Sequence, residues 1–387
     1  MKQKLAIITT HPIQYNAPWF RLLSERNNIS VKVFYTLSQW REGTLKDPGF
    51  GKTIEWDIPL LDGYEFKFIT NTSKSPGTRR YGGIVNPTLV KAITSWSPTA
   101  VLIFGWNFKS HLQCLRYFHR RIPVFFRGDS TLLGETPGFK KVIRNVVLTW
   151  VYKHIDAAFF VGTHNKDYFM RHGLKAHQLI LAAHAIDNRR YMQPEHIYSE
   201  EAGKWRQSLG IPENNFVVLY AGKFEEAKNV SILIEVAKRF TNKDISFVLA
   251  GNGPMETSLK ETSGSNVFFL AFQNQQQMPV LYRMGDLFVL PSKSETWGLA
   301  VNEAMACSRA VLVSDKCGCA ADLVEEGRNG YCFISGDVDD LAHKISLMLK
   351  QKAALKEMGH SSFKMIEHFT FEKIAESIEG AVLKRKQ

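Results

Sequence analysis

The chain has few cysteines, fewer acidic than basic side chains and no long apolar run, and each shortage excludes something. Cys114, Cys307, Cys317, Cys319 and Cys332 are the five cysteines in 387 residues. They form no CxxC pair, and only Cys114 has histidines close in sequence, His111 and His119. The spacing therefore suits neither a zinc site nor a disulfide framework, and reduced structural thiols are expected. No apolar run approaches the ~20 residues a membrane-spanning helix needs. The opening "MKQKLAIITTHP" is interrupted too soon for a secretion signal, so a cytoplasmic protein is expected. Low-complexity segments and short-period repeats are absent as well. Against 37 acidic residues stand 49 basic ones, a net charge of +12. Such a field favours phosphates, anionic lipid or nucleic acid. The basic residues are dispersed and no nucleic-acid-binding motif occurs, so nucleic acid is not the expected partner.

What is present is a soluble, globular composition, 44% hydrophobic and 22% charged, in a chain too long for one ordinary core. Short apolar runs alternate with helix-like stretches: "KLAIITT" before "APWFRLLSER", "AVLIFGW" before "HLQCLRYFHRR", "DAAFFVG" before "HNKDYFMRHG". Continuous apolar strands between amphipathic helices predict parallel sheets covered on both faces. The rhythm lapses over residues 187–215, which are polar and carry two prolines, and resumes with "FVVLYAGK", "ISFVLAGNG", "VFFLAFQ", "LFVLPS", "RAVLVSD" and "GYCFIS". Two doubly wound α/β domains follow, residues 1–186 and 187–370, with a ligand cleft expected between them.

The chemistry concentrates in the second half. "SETWGLAVNEAMA", residues 294–306, carries Glu295 and Glu303 eight positions apart around a small, mostly apolar segment. A buried ionised carboxylate is costly without partners, so these acids should meet something polar. With the preceding "LFVLPSK" the segment reads as strand, loop and helix, with Trp297, Gly298 and Leu299 near the helix start and Glu303 about two turns inside. A helix N-terminus suits a phosphate or a sugar hydroxyl. Upstream, "YAGKFEEAKN" ends a strand at Gly222 and places Lys223 and Lys228 on the next loop, while "LAGNGPM" supplies Gly253 and Pro254 in a turn where backbone can approach a ligand closely.

Together these motifs resemble the retaining glycosyltransferases of the E-x7-E family, glycosyltransferase family 4, which have the GT-B fold of two Rossmann-like domains. "SETWGLAVNEAMA" is similar to its signature, "YAGKFEEAKN" to its glycine-lysine loop and "LAGNGPM" to its G-x-G-P turn. "HAIDNRRY" is similar to its linker motif, and the resemblance runs from residue 184 to 335 in the family's order. "FTFEKIAESIEGAVL" resembles the family's last helices, so residues 371–387 are expected to rejoin the first domain. The resemblance implies a nucleotide diphosphate sugar as donor, UDP before GDP, and transfer of a hexose-type sugar. It implies that Glu303 accepts ribose hydroxyls, Glu295 a sugar hydroxyl, that Lys223 and Lys228 hold the diphosphate, and that the backbone at Ala271 and Phe272 meets the base. It further implies same-face attack with retention, no protein nucleophile, no cofactor and no metal. A saccharide or lipid-linked saccharide, as in surface polysaccharide synthesis, is the implied acceptor. A phosphorylase, an epimerase or a noncatalytic relative are the alternatives.

Departures from the family fall before residue 184. Where relatives carry a glycine pair this chain reads "TTHPIQYNAPWF", making His11, Gln14 and Tyr15 candidates for donor or acceptor contact. Where relatives often carry a histidine it reads "VFFRGDST". There Asp129 is a candidate for binding sugar or acceptor hydroxyls and for catalysis, and Arg127 for binding a phosphate or acid group. His184 is expected to be structural. Finally "TPGFKKVIRNVVLTWVYKHI", residues 136–155, reads either as a packed helix with a solvated basic end or as a helix that meets an anionic membrane surface, peripheral at its cytoplasmic face.

Overall fold

The computed structural model describes residues 2–41, 56–135, 138–240 and 244–384. Thirteen strands among them form two all-parallel sheets. The first contains β1 (Lys4–Thr9), β2 (Ser30–Tyr35), β3 (Glu65–Phe68), β4 (Ala100–Phe104), β5 (Val124–Arg127), β6 (Ala157–Phe160) and β7 (Leu179–Leu181) in the order 3-2-1-4-5-6-7. The second contains β8 (Phe216–Ala221), β9 (Ile245–Ala250), β10 (Val267–Leu270), β11 (Leu287–Leu290), β12 (Ala310–Ser314) and β13 (Gly330–Phe333) in the order 10-9-8-11-12-13. Central strands are buried along both faces, β8 and β9 throughout, which is why their sequences are unbroken apolar runs rather than alternating ones. Each order reverses direction once, between β1 and β4 and between β8 and β11. In doubly wound sheets ligands settle outside the carboxyl ends of the strands at such a reversal.

The chain divides into two compact units, with the break between His184 and Ala185. The closing helix Phe371–Lys384 belongs to the first unit. Its Glu379, 4% exposed, accepts from Arg26 and Asn28, and the Ser377 hydroxyl donates to the Leu181 carbonyl at 2.7 Å. The polar stretch read as a connection is itself structured. Its prolines fall outside a 14-residue helix, Glu195–Ser208, and Arg206 ties that helix to the second unit through the Met284 carbonyl (2.7 Å) and Asp286 (3.1 Å). Among the described residues no helix is long and apolar enough to cross a membrane.

One core group gives the fold a pH dependence. His111, fully buried on the helix Lys109–Phe118, donates from Nδ1 to the Phe104 carbonyl (2.7 Å), and its Nε2 lies 2.9 Å from Thr36 Oγ1. Burial lowers its pKa from 6.5 to about 4. Between those values the unfolded chain binds a proton that the folded chain does not. The stability contributed above pH 6.5 is therefore lost as pH falls toward 4, at about 1.4 kcal/mol per pH unit. His172, also lowered by burial, acts in the same direction. The drop in melting temperature from pH 7 to pH 5 should consequently be smaller in His111→Gln than in the wild type. Parallel curves would refute this account.

Candidate functional site

The reversal between β8 and β11 brings together two loops that are 67 residues apart in sequence. After β8 the chain passes Gly222 and Lys223, makes a tight turn over Glu226–Lys228 and enters the helix Ser231–Ala237. After β11 it runs through Ser292–Trp297 into the helix Leu299–Ala306. The Lys293 N–H donates to the Ala227 carbonyl at 2.9 Å, stitching the loops to each other, and Lys228 Nζ pairs with Glu295 Oε2. The two side chains are 21% and 16% exposed, so solvent and a ligand can still reach them. The Glu295 backbone is fixed from its other side, donating to the Lys316 carbonyl and accepting from Gly318 N–H. Gly298 caps the following helix at φ +106°, where a Cβ would stand 2.7 Å from Leu290 Cδ2. A left-handed conformation and a closed space both demand glycine there.

Trp297 is buried and donates to Asn302, within the helix that starts at Leu299. Glu303 therefore lies one turn inside the helix rather than two. It is 2% exposed, and its two carboxylate oxygens accept the hydroxyls of Tyr191 (2.9 Å) and Tyr282 (2.6 Å). The polar partners that a buried acid requires are thus supplied by the chain itself, a pairing the sequence reading missed. Tyr191 closes the "HAIDNRRY" motif, and its hydroxyl also lies 3.4 Å from Gln275, which accepts from Arg190. The motif's tyrosine was the available signal.

Three groups of candidate residues have partners within the chain itself. The glycines of "LAGNGPM" serve contact between loops. A Cβ on Gly251 would fall 1.8 Å from the Gly222 carbonyl oxygen, and one on Gly253 would fall 2.5 Å from the Phe224 carbonyl oxygen. Close backbone approach is what they provide, but to the loop after β8, while Pro254 stays exposed. The Phe272 N–H, expected near a base, donates to Asn252 Oδ1 (2.9 Å), and the Ala271 carbonyl accepts from Gln273 (3.0 Å). Gly222 sits beside the Tyr220 hydroxyl, which donates to the Lys223 carbonyl at 2.8 Å. The third is Arg127, the last residue of β5. It is 3% exposed, donates to the Ala182 carbonyl (2.7 Å), and its pKa is lowered by burial to about 10, against the opposing pull of Asp129. It braces the first sheet through that bond.

The remaining first-unit candidates follow the carboxyl ends of β1 and β5. His11, Gln14 and Tyr15 are half-buried, with His11 Nδ1 3.0 Å from Thr10 Oγ1. Asp129 has a 48% exposed side chain and lies 3.9 Å from His184 Nε2, so His184 faces this acid. Among the described residues no three His, Cys, Asp or Glu side chains converge as metal ligands.

The family model "Glycosyl transferases group 1" matches residues 201–365, which include both loops. Sulfoquinovosyl transferase of Arabidopsis thaliana is 28% identical over 208 residues, 53% of this chain and 39% of that one. N-acetyl-alpha-D-glucosaminyl L-malate synthase of Bacillus anthracis is 25% identical over 65% of this chain and 64% of its own length. The chain thus spans less than two thirds of either relative. Among solved structures, HepE of Anabaena in complex with UDP and glucose superposes with a TM-score of 0.72 at 18% identity, covering 99% of this chain and 100% of that one. At that identity the likeness establishes the fold, two parallel-sheet α/β domains of the GT-B type.

Proposed function

We propose that the chain, whose residues 201–365 match the glycosyl transferases group 1 model, transfers a hexose-type sugar from a nucleoside diphosphate sugar to a saccharide or lipid-linked saccharide in surface polysaccharide synthesis, with retention of configuration. The Lys228–Glu295 pair at the reversal of the second sheet carries this reading. A cation and a carboxylate fixed side by side and open to solvent match the two ends of a sugar diphosphate, the phosphate and the sugar hydroxyls. Lys228, with Lys223 on the same loop, takes the diphosphate. Glu295 then accepts a hydroxyl of the sugar, and the helix beginning at Leu299 adds its partial positive charge.

As the glycosidic bond breaks, negative charge grows on the leaving phosphate, and a fixed cation there favours the transition state over the ground state. The departing phosphate takes the acceptor's proton on the face it leaves, so the proposal uses no protein nucleophile and no metal. Asp129, with His184 beside it, and the His11–Tyr15 turn are the proposed contacts of acceptor and sugar. Glu303 keeps a proposed ribose contact beside its structural one, since an ionised carboxylate accepts at about four lone-pair positions. UDP stands before GDP because HepE was solved with UDP.

Thermal unfolding with UDP, GDP, ADP and their sugar conjugates tests the reading. A ligand that binds only the folded state stabilises it by about 2.7 kcal/mol at a hundredfold excess over its Kd. One nucleotide should raise the melting temperature selectively, and Lys228→Ala should lose most of that rise. Failure of every nucleotide to shift the wild type would remove the donor assignment, while a shift without release of free nucleotide from any sugar conjugate would favour a noncatalytic relative.

A further inference from the structure

The helix Phe139–Tyr152 of the first unit is apolar on two opposite sides. Leu148, Val151 and Tyr152 are buried in the core. On the other side Phe139, Val142, Ile143, Val146, Val147 and Trp150 are 39 to 78% exposed. These six positions follow the i, i+3, i+4, i+7, i+8, i+11 spacing of a single helix face, so they form one continuous stripe. The other exposed large apolar residues among those described stand singly in separate elements. A stripe of this kind marks a surface that something covers.

Charge indicates what covers it. From Gly138 to Ile155 the chain carries Lys140, Lys141, Arg144 and Lys153 and no aspartate or glutamate. The Arg116 guanidinium stands 5.7 Å over the Trp150 ring and adds a cation at the C-terminal end of the stripe. Glu135 pairs with Lys141 (3.0 Å) and Arg144 (3.3 Å), one acid against these cations, which pins the start of the helix and leaves the region positive. A second copy of the chain would set the same cations against these, within a molecule of net charge +12. An anionic bilayer suits both features. Its headgroup region takes the cations, and its acyl boundary takes an apolar helical face with aromatic residues at both ends.

We propose that the exposed face of the helix Phe139–Tyr152 seats the protein on an anionic lipid surface. This does not rest on the donor chemistry above, which belongs to the other unit. The test is flotation of the full chain with vesicles of phosphatidylglycerol and phosphatidylcholine and with vesicles of phosphatidylcholine alone. The wild type should float with the anionic vesicles and far less with the neutral ones. Because the substituted positions face solvent, Ile143→Asp with Val146→Asp should keep the wild-type melting temperature while lowering the apparent lipid affinity ~10-fold or more. Phe139→Ser, at the most exposed position, serves as a milder second variant, expected to weaken binding in the same direction. A wild type that stays unbound with anionic vesicles would overturn the proposal, as would folded variants that float as it does. Light scattering that shows a dimer dissolved by these substitutions, with no flotation, would assign the face to self-association instead.

Discussion

Lys228→Ala should lower turnover by ~10²- to 10³-fold, the range lost when one preorganised donor to a developing anion is removed. The expectation follows from where the lysine stands. It ends a turn whose backbone is tied to the loop after β11, and its partner Glu295 is held by the loop after β12, so the cation is fixed before any ligand arrives. A fixed charge costs little reorganisation when the leaving group becomes more negative, and its effect should appear mainly in kcat. Part of the loss will appear in KM, because the ground-state diphosphate is charged too. The fold should tolerate the change. Both side chains keep access to water, and Glu295 without its lysine can be solvated, unlike a fully buried acid. Lys228→Arg should recover only part of the rate, since a planar guanidinium does not replace a compact ammonium at a site shaped for one. Steady-state kinetics with the nucleotide sugar found by thermal shift, beside melting curves of each variant, decide the matter. An unchanged kcat in a folded Lys228→Ala would remove this lysine from the mechanism.

The central strands were legible because burial on both faces writes an unbroken apolar run into the sequence, as in "FVVLYA" for β8. The edge strands of the first sheet were not. β3 reads "EFKF" and is largely exposed, and β7 has only three residues, so neither buries enough side chain to leave a signal. The loop pair was legible for a different reason: short motifs fix both sides of the β8–β11 reversal, and parallel topology brings them together. What sequence could not give was direction. Nothing in "VFFRGDST" says that Arg127, at the strand end, bonds the Ala182 carbonyl, whereas Asp129 two residues later is half solvated. Likewise the glycines after β9 announce a close approach without naming the partners, which prove to be the Gly222 carbonyl for Gly251 and the Phe224 backbone for Gly253. Spacing records that a position is constrained, and only the neighbours across the fold reveal what constrains it.

Glu303→Ala should cost stability before it says anything about nucleotide binding. The carboxylate is 2% exposed and accepts two tyrosine hydroxyls from elements distant in sequence, so its removal leaves both hydroxyls buried without that acceptor and opens a small cavity. Loss of this acceptor costs Tyr282 about 1–3 kcal/mol, and Tyr191, which keeps Gln275 at 3.4 Å, less. A sum of roughly 2–4 kcal/mol should lower the melting temperature by ~4 to 16 °C at about 2–4 °C per kcal/mol. Glu303→Gln should lose less, because its amide oxygen still accepts from one tyrosine and its amide nitrogen can donate to the other oxygen. The decisive comparison removes the hydroxyls as well. If stranded donors dominate the loss, Glu303→Ala combined with Tyr191→Phe and Tyr282→Phe should be more stable than Glu303→Ala alone, an inversion that simple additivity does not produce. A single variant melting within about 1 °C of wild type would show that the tyrosines find other partners at no cost. Nucleotide binding must then be read as the shift each variant shows over its own ligand-free melting point. On that scale, a Glu303→Gln protein that keeps its fold and loses the nucleotide shift would separate the proposed ribose contact from the structural one.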